Sequence, residues 1–294
     1  MVKLFSIRNR NKRVTKASKF AGRGIRLMVL TIGAFIFLFP LYWMVATSLK
    51  TLPEISAFPP VWWPKVPRWS NYAEAWAYLP FATFTKNTCI ISVAVVIGSV
   101  MSASLVGYGF AHFRFPGRDV LFVILLSTMM VPSMVKLIPL FILFRNLGWI
   151  NTFLPLTVPA YFSAEPFFVF LMRQFYRTVP KELSEAARID GCSEPGIWWH
   201  IMVPLSKPAL ASVAIFSFQG VWNDFTQPLV FLNQQLRKTL ALGLYSIVGQ
   251  IGESVQLWHY AMAISVIMVL PMVIIFLIFQ RFFVQGVVMT GIKG

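Results

Sequence analysis

Apolar residues gather into six long stretches, near 27–49, 87–111, 119–143, 153–173, 208–232 and 261–283, separated by polar intervals. Each is close to the roughly 20 mostly apolar residues that carry a helix across a bilayer. Pro132, Pro139, Pro155, Pro159, Pro166 and Pro228 fall inside the third, fourth and fifth stretches, so kinks or breaks are expected there. In lipid such breaks persist only where neighbouring protein or a cavity satisfies the freed backbone groups. The pattern predicts an all-α integral membrane protein with six transmembrane helices.

One polar interval, about 174–207, has its own order. It contains EAARIDGCSEPGIWWHIMVP, from Glu185 to Pro204. Pro180 suits the first turn of a helix, and Gly191 suits the position just past its end. Between them Leu183, Ala186, Ala187 and Asp190 recur at helical spacing, while Glu182, Glu185 and Arg188 form a charged row. A second short helix is expected from Ser193, a good N-cap with Pro195 close behind, and its Ile197, Trp198, Ile201 and Met202 share a face. Two short helices joined at a glycine make a compact knob, held near the membrane by Pro204 and Pro208. Small residues let a partner approach, and Glu185 offers a charge to a partner's Arg or Lys.

Composition supports the membrane class: hydrophobic residues are 57% and charged residues 12% of the 294, against about 45–50% and about 25% in soluble domains. Basic residues then set the orientation. With the N-terminus inside, the cytoplasmic segments hold nine Lys and Arg up to Arg26, then Arg114, Arg118, Arg173, Arg177, Lys181, Arg188, Lys207, Arg281 and Lys293, most of the 26 in the chain. Both termini and the 174–207 interval are therefore expected in the cytoplasm. The net charge of +16 reads as topology setting and contact with anionic lipid rather than nucleic-acid binding. Residues 1–26 form a basic cytoplasmic segment with a mobile start, ahead of an uncleaved anchor, and 27–294 form the transmembrane domain. Cys89 lies in a stretch and Cys192 in the loop, so no disulfide joins them, and His112, His200 and His259 lack metal-ligand spacing. A Gly-rich phosphate loop followed by Lys and Ser or Thr is missing, so no ATP hydrolysis by the usual loop, and no catalytic residue, is expected in this chain.

The order EAA, three residues, Gly191, nine residues, then Ile201 and Pro204 resembles the EAA loop of permease subunits in ATP-binding-cassette importers. Val203 departs from it, standing where Leu is usual. Beyond the loop, Asn71-Tyr72, Asn87-Thr88, Tyr108 with Phe113-Arg114-Phe115-Pro116-Gly117, Asn151-Thr152 and Trp222-Asn223-Asp224-Phe225 look like landmarks of the carbohydrate-uptake branch, the maltose-type six-span subunits. The resemblance covers nearly the whole chain and implies a type I importer permease fold in a bacterial inner membrane. It implies a second, related permease subunit, two ATPase subunits that bind ATP and Mg, and an extracytoplasmic solute-binding protein as partners. It assigns Glu185, Ala186, Ala187, Arg188 and Gly191 to docking on the ATPase, with Ile201 and Pro204 fixing the knob to the spans. The cargo implied is a sugar or oligosaccharide, moved by ATP-driven alternating access.

For the substrate path, ionisable groups inside spans are costly and usually face a cavity. Glu165 and Asp224 qualify, with Trp222 and Asn223 beside the latter. The competing reading is structural: Asp224 caps a break near Pro228, and Glu165 pairs with a basic group such as Lys136. Trp62, Trp63, Trp69, Tyr72, Trp76 and Tyr78 crowd the first outer loop, as an interfacial belt or binding-protein contact more readily than a sugar platform. The outer basic residues Lys50, Lys65, Arg68, Lys86, Lys136, Arg145, Arg237 and Lys238 outnumber the acids around them, which suggests an acidic sugar as one cargo. An ion-gradient-driven transporter using Glu165 or Asp224 is the alternative.

Overall fold

The computed structural model describes the backbone of residues 2–251 and 257–291 and the side chains of 22–249 and 257–280, and contains no strand among the described residues. Helix α1 (Val2–Ser48) runs unbroken through the 26/27 boundary and supplies the first apolar stretch, Gly22–Ser48. The first outer loop carries α2 (Leu52–Ile55) and α3 (Ser70–Tyr78), and the second span is α4 (Phe81–His112). The third is broken: α5 (Arg118–Ser127) continues to Met130, then meets α6 (Ser133–Asn146) at 101°. Pro132 sits at that break, extended at ψ 137° as the N-cap of α6, a position where its missing N–H costs the helix no hydrogen bond.

The fourth span, Leu154–Tyr176, is composite. Helix α7 (Leu154–Thr157) tightens into a 3₁₀ turn, the chain passes through Ser163 at φ 56° and extended Glu165, and α8 (Pro166–Tyr176) follows. The loop holds α9 (Lys181–Ile189), α10 (Glu194–Ile197), one π turn and α11 (Val203–Leu205). Helix α12 (Lys207–Trp222) leaves Glu194–Leu205 at 81°. The expected fifth stretch, 208–232, is not one helix: α12 stops at Trp222 and α13 (Thr226–Phe231) is separate. The break lies at Asn223–Phe225 rather than at Pro228, because Pro228 occupies the first turn of α13, where a missing N–H leaves nothing unpaired. Helix α14 (Leu240–Ile251), absent from the sequence expectation, precedes the last span, α15 (Trp258–Gly291).

Helix α4 is the axis. It packs most extensively on α8 and α12, and its buried face is built from small residues: Ser92, Gly98, Ser99, Ser102, Ala103, Ser104 and Gly107. Small residues let backbones approach in lipid, where helix association rests on packing and interhelical hydrogen bonds. The hydroxyls are used: Ser102 Oγ donates to the Ala160 carbonyl at 2.7 Å, and Ser217 Oγ donates to Ser99 Oγ at 3.2 Å. Two cores sit at opposite ends of α4. One gathers Ala103, Tyr108, Met172, Tyr176, Ile197 and Met202. The other gathers Phe81, Phe84, Trp222, Leu240, Ile247 and Ile264 with Ala75.

Three asparagines tie the loops at the end of α4 away from the knob. Asn71 Nδ2 donates to the carbonyls of Ser48 and Lys50 at 2.8 and 3.0 Å, and Asn87 Nδ2 donates to those of Leu236 and Lys238 at 2.9 and 3.0 Å. Asn151, at φ 62°, accepts on Oδ1 from the backbone N–H groups of Asn233 and Gln234. Thr88 Oγ1 accepts the Leu240 N–H at 2.8 Å, fixing the start of α14. Each is a long-range clamp on a backbone group that would otherwise be orphaned.

At Gly107 the helices touch. A Cβ there would lie 2.7 Å from Met172 Cβ and 3.0 Å from the Arg173 backbone N, atoms that cannot swing away. Gly107→Ala is therefore expected to destabilise the purified protein by about 1–3 kcal/mol. Gly109→Ala, whose Cβ would meet only a Phe113 ring carbon at 4.0 Å, is expected to be neutral or slightly stabilising. Thermal unfolding of both variants in the same lipid tests this; equal midpoints would refute the close-packing assignment.

Candidate functional site

The knob begins with α9, whose end is set by local chemistry. Gly191, at φ 81°, follows the C-cap Asp190. The Gly191 N–H donates to the Arg188 carbonyl at 3.0 Å, and the Cys192 N–H donates to the Ala187 carbonyl at 2.9 Å. These two bonds are the Schellman arrangement, which needs a left-handed residue at this position. The sequence expectation for Gly191 holds, and Ser193 stands at the N-cap of α10 with extended dihedrals, as expected.

The expected face of α9 is corrected. Ser184 and Ala187 are its buried residues. Leu183 is 44% exposed and Ile189 87% exposed, and Glu182, Glu185 and Ala186 are exposed with them. Two large apolar side chains, one small one and two carboxylates therefore face outward on a helix of nine residues. Ile189 was not singled out by sequence reasoning; a branched apolar residue beside the C-cap of a polar helix is the signal that could have found it.

The opposite side of the knob is bonded to the spans. Arg188 Nε donates to Glu194 Oε1 at 2.6 Å, and Glu194 Oε2 accepts the Tyr108 hydroxyl of α4 at 2.8 Å. Glu194 thus straps α9, α10 and α4 together. The Arg188 guanidinium is held above its usual pKa, first by this hydrogen bond, and the Glu194 carboxyl is held below its own for the same reason. Arg188, expected among outward docking residues, has its charge engaged within the knob. Deeper in, Trp198 Nε1 donates to Ser104 Oγ at 3.0 Å, and Ser104 Oγ shares a hydrogen with the Tyr176 hydroxyl at 2.7 Å. Ile197 and Met202 are fully buried, and Trp198 and Ile201 pack against the same core. The shared face expected for these four is present. Pro204 is exposed; its part is to open α11, one turn before buried Ser206 and the 81° bend. Glu194, Tyr176, Ser104 and Ser206 escaped sequence reasoning, although hydroxyls inside apolar stretches hint at interhelical bonds.

The candidate path residues separate. Trp222 is 4% exposed and its indole N–H donates to the Met268 carbonyl at 3.0 Å, so packing against α15 occupies it and the path expectation is corrected. Asn223 Nδ2 donates back to the Gln219 carbonyl at 3.0 Å, finishing α12. Asp224 Oδ1 accepts the Gln227 N–H at 3.2 Å, which is the capping role. Glu165 is exposed at the start of α8 and makes no ion pair with Lys136 within 4 Å. Near the α12–α13 break, a cavity of about 300 Å³ is lined by Asn233, Lys238, Tyr245 and Ser246 among leucines, and Tyr245 meets Phe225 with ring centroids 4.4 Å apart.

Several outer cations are engaged. Lys50 is 2% exposed with Nζ 3.9 Å from the Trp43 ring centroid, and burial lowers its pKa. Arg68 pairs with Glu74 at 3.0 Å, and Lys238 Nζ donates to Ser246 Oγ at 3.0 Å. Trp62 and Trp63 pack on Phe39, Tyr42 and Trp43 of α1 as an interfacial belt. A larger cavity, about 1080 Å³, lies where α4, α5, α8 and α9 converge, with Arg114, Arg118, Arg173, Arg177, Lys181 and Arg188 in its lining.

Comparison with known proteins agrees with this architecture. The profile of the family described as binding-protein-dependent transport system inner membrane component matches residues 94–289. The chain is 36% identical over 276 residues to the arabinooligosaccharides transport system permease protein AraQ of Halalkalibacterium halodurans, covering 90% of this chain and 96% of that one. It is 33% identical over 269 residues to the sn-glycerol-3-phosphate transport system permease protein UgpE of Yersinia pestis, covering 89% and 94%. A solved bacterial ABC transporter involved in the import of the acidic polysaccharide alginate superposes with a TM-score of 0.77 at 24% identity, over 88% of this chain and 95% of that one. With the broken spans, the bonded knob and these likenesses together, the chain belongs to the multi-pass inner-membrane permeases of binding-protein-dependent ABC transport systems.

Proposed function

We propose that this chain is one of two permease subunits of a sugar or oligosaccharide importer, and that α9 and its flanking loop take the force of ATP hydrolysis from separate ATPase subunits. The observation that carries the reading is the two-sidedness of α9. Its outward side presents Leu183, Ala186, Ile189, Glu182 and Glu185 with nothing covering them, whereas its inward side is tied to α4 through Arg188, Glu194 and Tyr108. Exposed branched apolar residues beside carboxylates fit a partner cleft with an apolar floor and a basic rim. The basic residues flanking the spans support a cytoplasmic position for this loop and both termini. ATP and Mg then belong to the two ATPase subunits, and a solute-binding protein delivers cargo from outside, as the family description implies. That description is at odds with the ion-gradient alternative.

The named relatives carry a neutral oligosaccharide in one case and an anionic glycerol phosphate in the other. For this chain a sugar or oligosaccharide is the cargo class, with Asn233, Lys238, Tyr245 and Ser246 beside the α12–α13 break as the polar groups available to it.

Reconstitution with the partner subunits, followed by measurement of ATPase activity stimulated by loaded binding protein, tests the coupling assignment. Glu185→Lys reverses an exposed charge and is expected to weaken ATPase association roughly tenfold or more. Gly191→Pro is expected to abolish stimulation, since proline fixes φ near −65° and removes the N–H bonded to Arg188. Wild-type stimulation in both variants would sink the assignment. Glu194→Ala cuts the strap without touching the outward face, so the complex is expected to assemble while transport per ATP falls several-fold. Tyr108→Phe should show a milder form of the same defect. In the capping reading, Asp224→Ala lowers thermal stability by about 1 kcal/mol, while Asp224→Asn, which keeps an acceptor oxygen, leaves the half-saturating cargo concentration unchanged. A large change in that concentration for Asp224→Asn would restore Asp224 to the path.

A further inference from the structure

The cavity of about 1080 Å³ at the converging ends of α4, α5, α8 and α9 includes Glu185 and Arg188 of the knob, but the rest of its basic lining has no part in the coupling or cargo roles above. Six cations stand against two carboxylates there, Asp119 and Glu185. Arg118 and Arg173 share Asp119, at 3.0 and 3.7 Å, and Arg188 is bonded to Glu194. Arg114, Arg177 and Lys181 make no ion pair within 4 Å among the described residues. Arg173 forms part of the floor: it is 9% exposed, its guanidinium lies 3.9 Å from the centroid of the Phe122 ring, and its Nε donates to the Phe110 carbonyl at 3.4 Å. A buried arginine below three cations without a close ion pair, in a lining of six cations and two carboxylates, raises a field that an anion relieves.

The rim says which anion. Phe115 and Val120 line the cavity and are exposed, and beyond them Leu121, Val123 and Ile124 of α5 are exposed apolar residues. A polar basin opening onto an apolar helix face at the end of a span has the shape of a lipid site, phosphate inward and acyl chains along the helix. An acidic protein segment would find no use for the apolar continuation.

We propose that this cavity binds the phosphate headgroup of an anionic phospholipid of the cytoplasmic leaflet, held by Arg114, Arg177 and Lys181 over the Arg173 floor. The choice of leaflet rests on the orientation proposed above. Because Lys181 belongs to α9 and Arg114 to the turn after α4, the bound lipid bridges the knob to the second span beside the Glu194 strap. Lipid charge then bears on how firmly α9 is held.

The test uses the full chain in phosphatidylcholine nanodiscs with or without phosphatidylglycerol, with lipid retained after detergent extraction counted by native mass spectrometry. Wild type is expected to retain phosphatidylglycerol in preference to phosphatidylcholine. The triple variant R114Q/R177Q/K181Q is expected to lose that preference, its affinity falling on the order of a hundredfold. R114K/R177K/K181R is expected to recover most of it. The three side chains are exposed, and matching thermal unfolding in phosphatidylcholine alone checks that the triple variant folds. Equal phosphatidylglycerol retention by wild type and R114Q/R177Q/K181Q overturns the proposal. Saturation of the site by inorganic phosphate, with no added retention of phosphatidylglycerol, overturns it in favour of a soluble anion. Unchanged lipid retention with loss of ATPase assembly assigns the cations to a protein contact instead. Since the lipid readout needs no ATPase subunit, a failed coupling assignment leaves it intact.

Discussion

The crossing of α4 and α8 at Gly107 governs what the rest of the molecule can do. With Met172 Cβ and the Arg173 backbone pressed against a residue that has no side chain, Ser104 comes within hydrogen-bond reach of Tyr176, and Trp198 reaches Ser104 in turn. These groups lie against a core that includes Val169, Met172, Ile197 and Met202, four residues without measurable exposure. Separating the knob from the helices would strand hydroxyls and an indole N–H in that core, at about 1–3 kcal/mol for each unsatisfied group. The loop is therefore a rigid extension of α4 and α8. A push on α9 displaces spans instead of bending a linker.

That rigidity gives the unpartnered side of α9 its meaning. Exposing Leu183 and Ile189 to water forgoes roughly 1.5–3 kcal/mol for each side chain that could be fully buried, and nothing in the fold requires it. Ser184 and Ala187 already supply the inward contact. The alternation of small buried residues with larger exposed ones inverts what an isolated soluble helix would do. It fits a helix whose second partner is another polypeptide.

Local chemistry was legible in the sequence, and long-range chemistry was not. The glycine that ends α9, the proline that breaks the third span and the N-cap position of Ser193 each follow from the conformational limits of one residue type. The break after Trp222 was placed too far along, because a proline in the first turn of a helix disrupts nothing, whereas Asn223 and Asp224 bond the backbone and stop it. Helix α14 was missed as an apolar run too short to span; Asn87 and Thr88, some 150 residues distant, hold its entry. The Glu194 strap joins residues 86 positions apart, and nothing in a local window marks Glu194 as different from Glu182 or Glu185.

The same contrast separates the two ends of α4. At the knob end, side chains of neighbouring helices bond one another and tie the helices together. At the far end the structure is held by side chains gripping backbone: Asn71 on the 48–50 turn, Asn87 on 236–238, and Asn151 on 233–234. Amide clamps fix loop positions without filling the space between the helices, which leaves room for the α12–α13 break and the cavity beside Tyr245. A permease that alternates access needs this division: one end stiff enough to carry force, the other open enough to admit a polar solute without unravelling the loops that surround it. The asparagine pairs Asn71-Tyr72, Asn87-Thr88 and Asn151-Thr152, which looked like signs of cargo type, hold loop backbone instead, and so they say little about which sugar is carried.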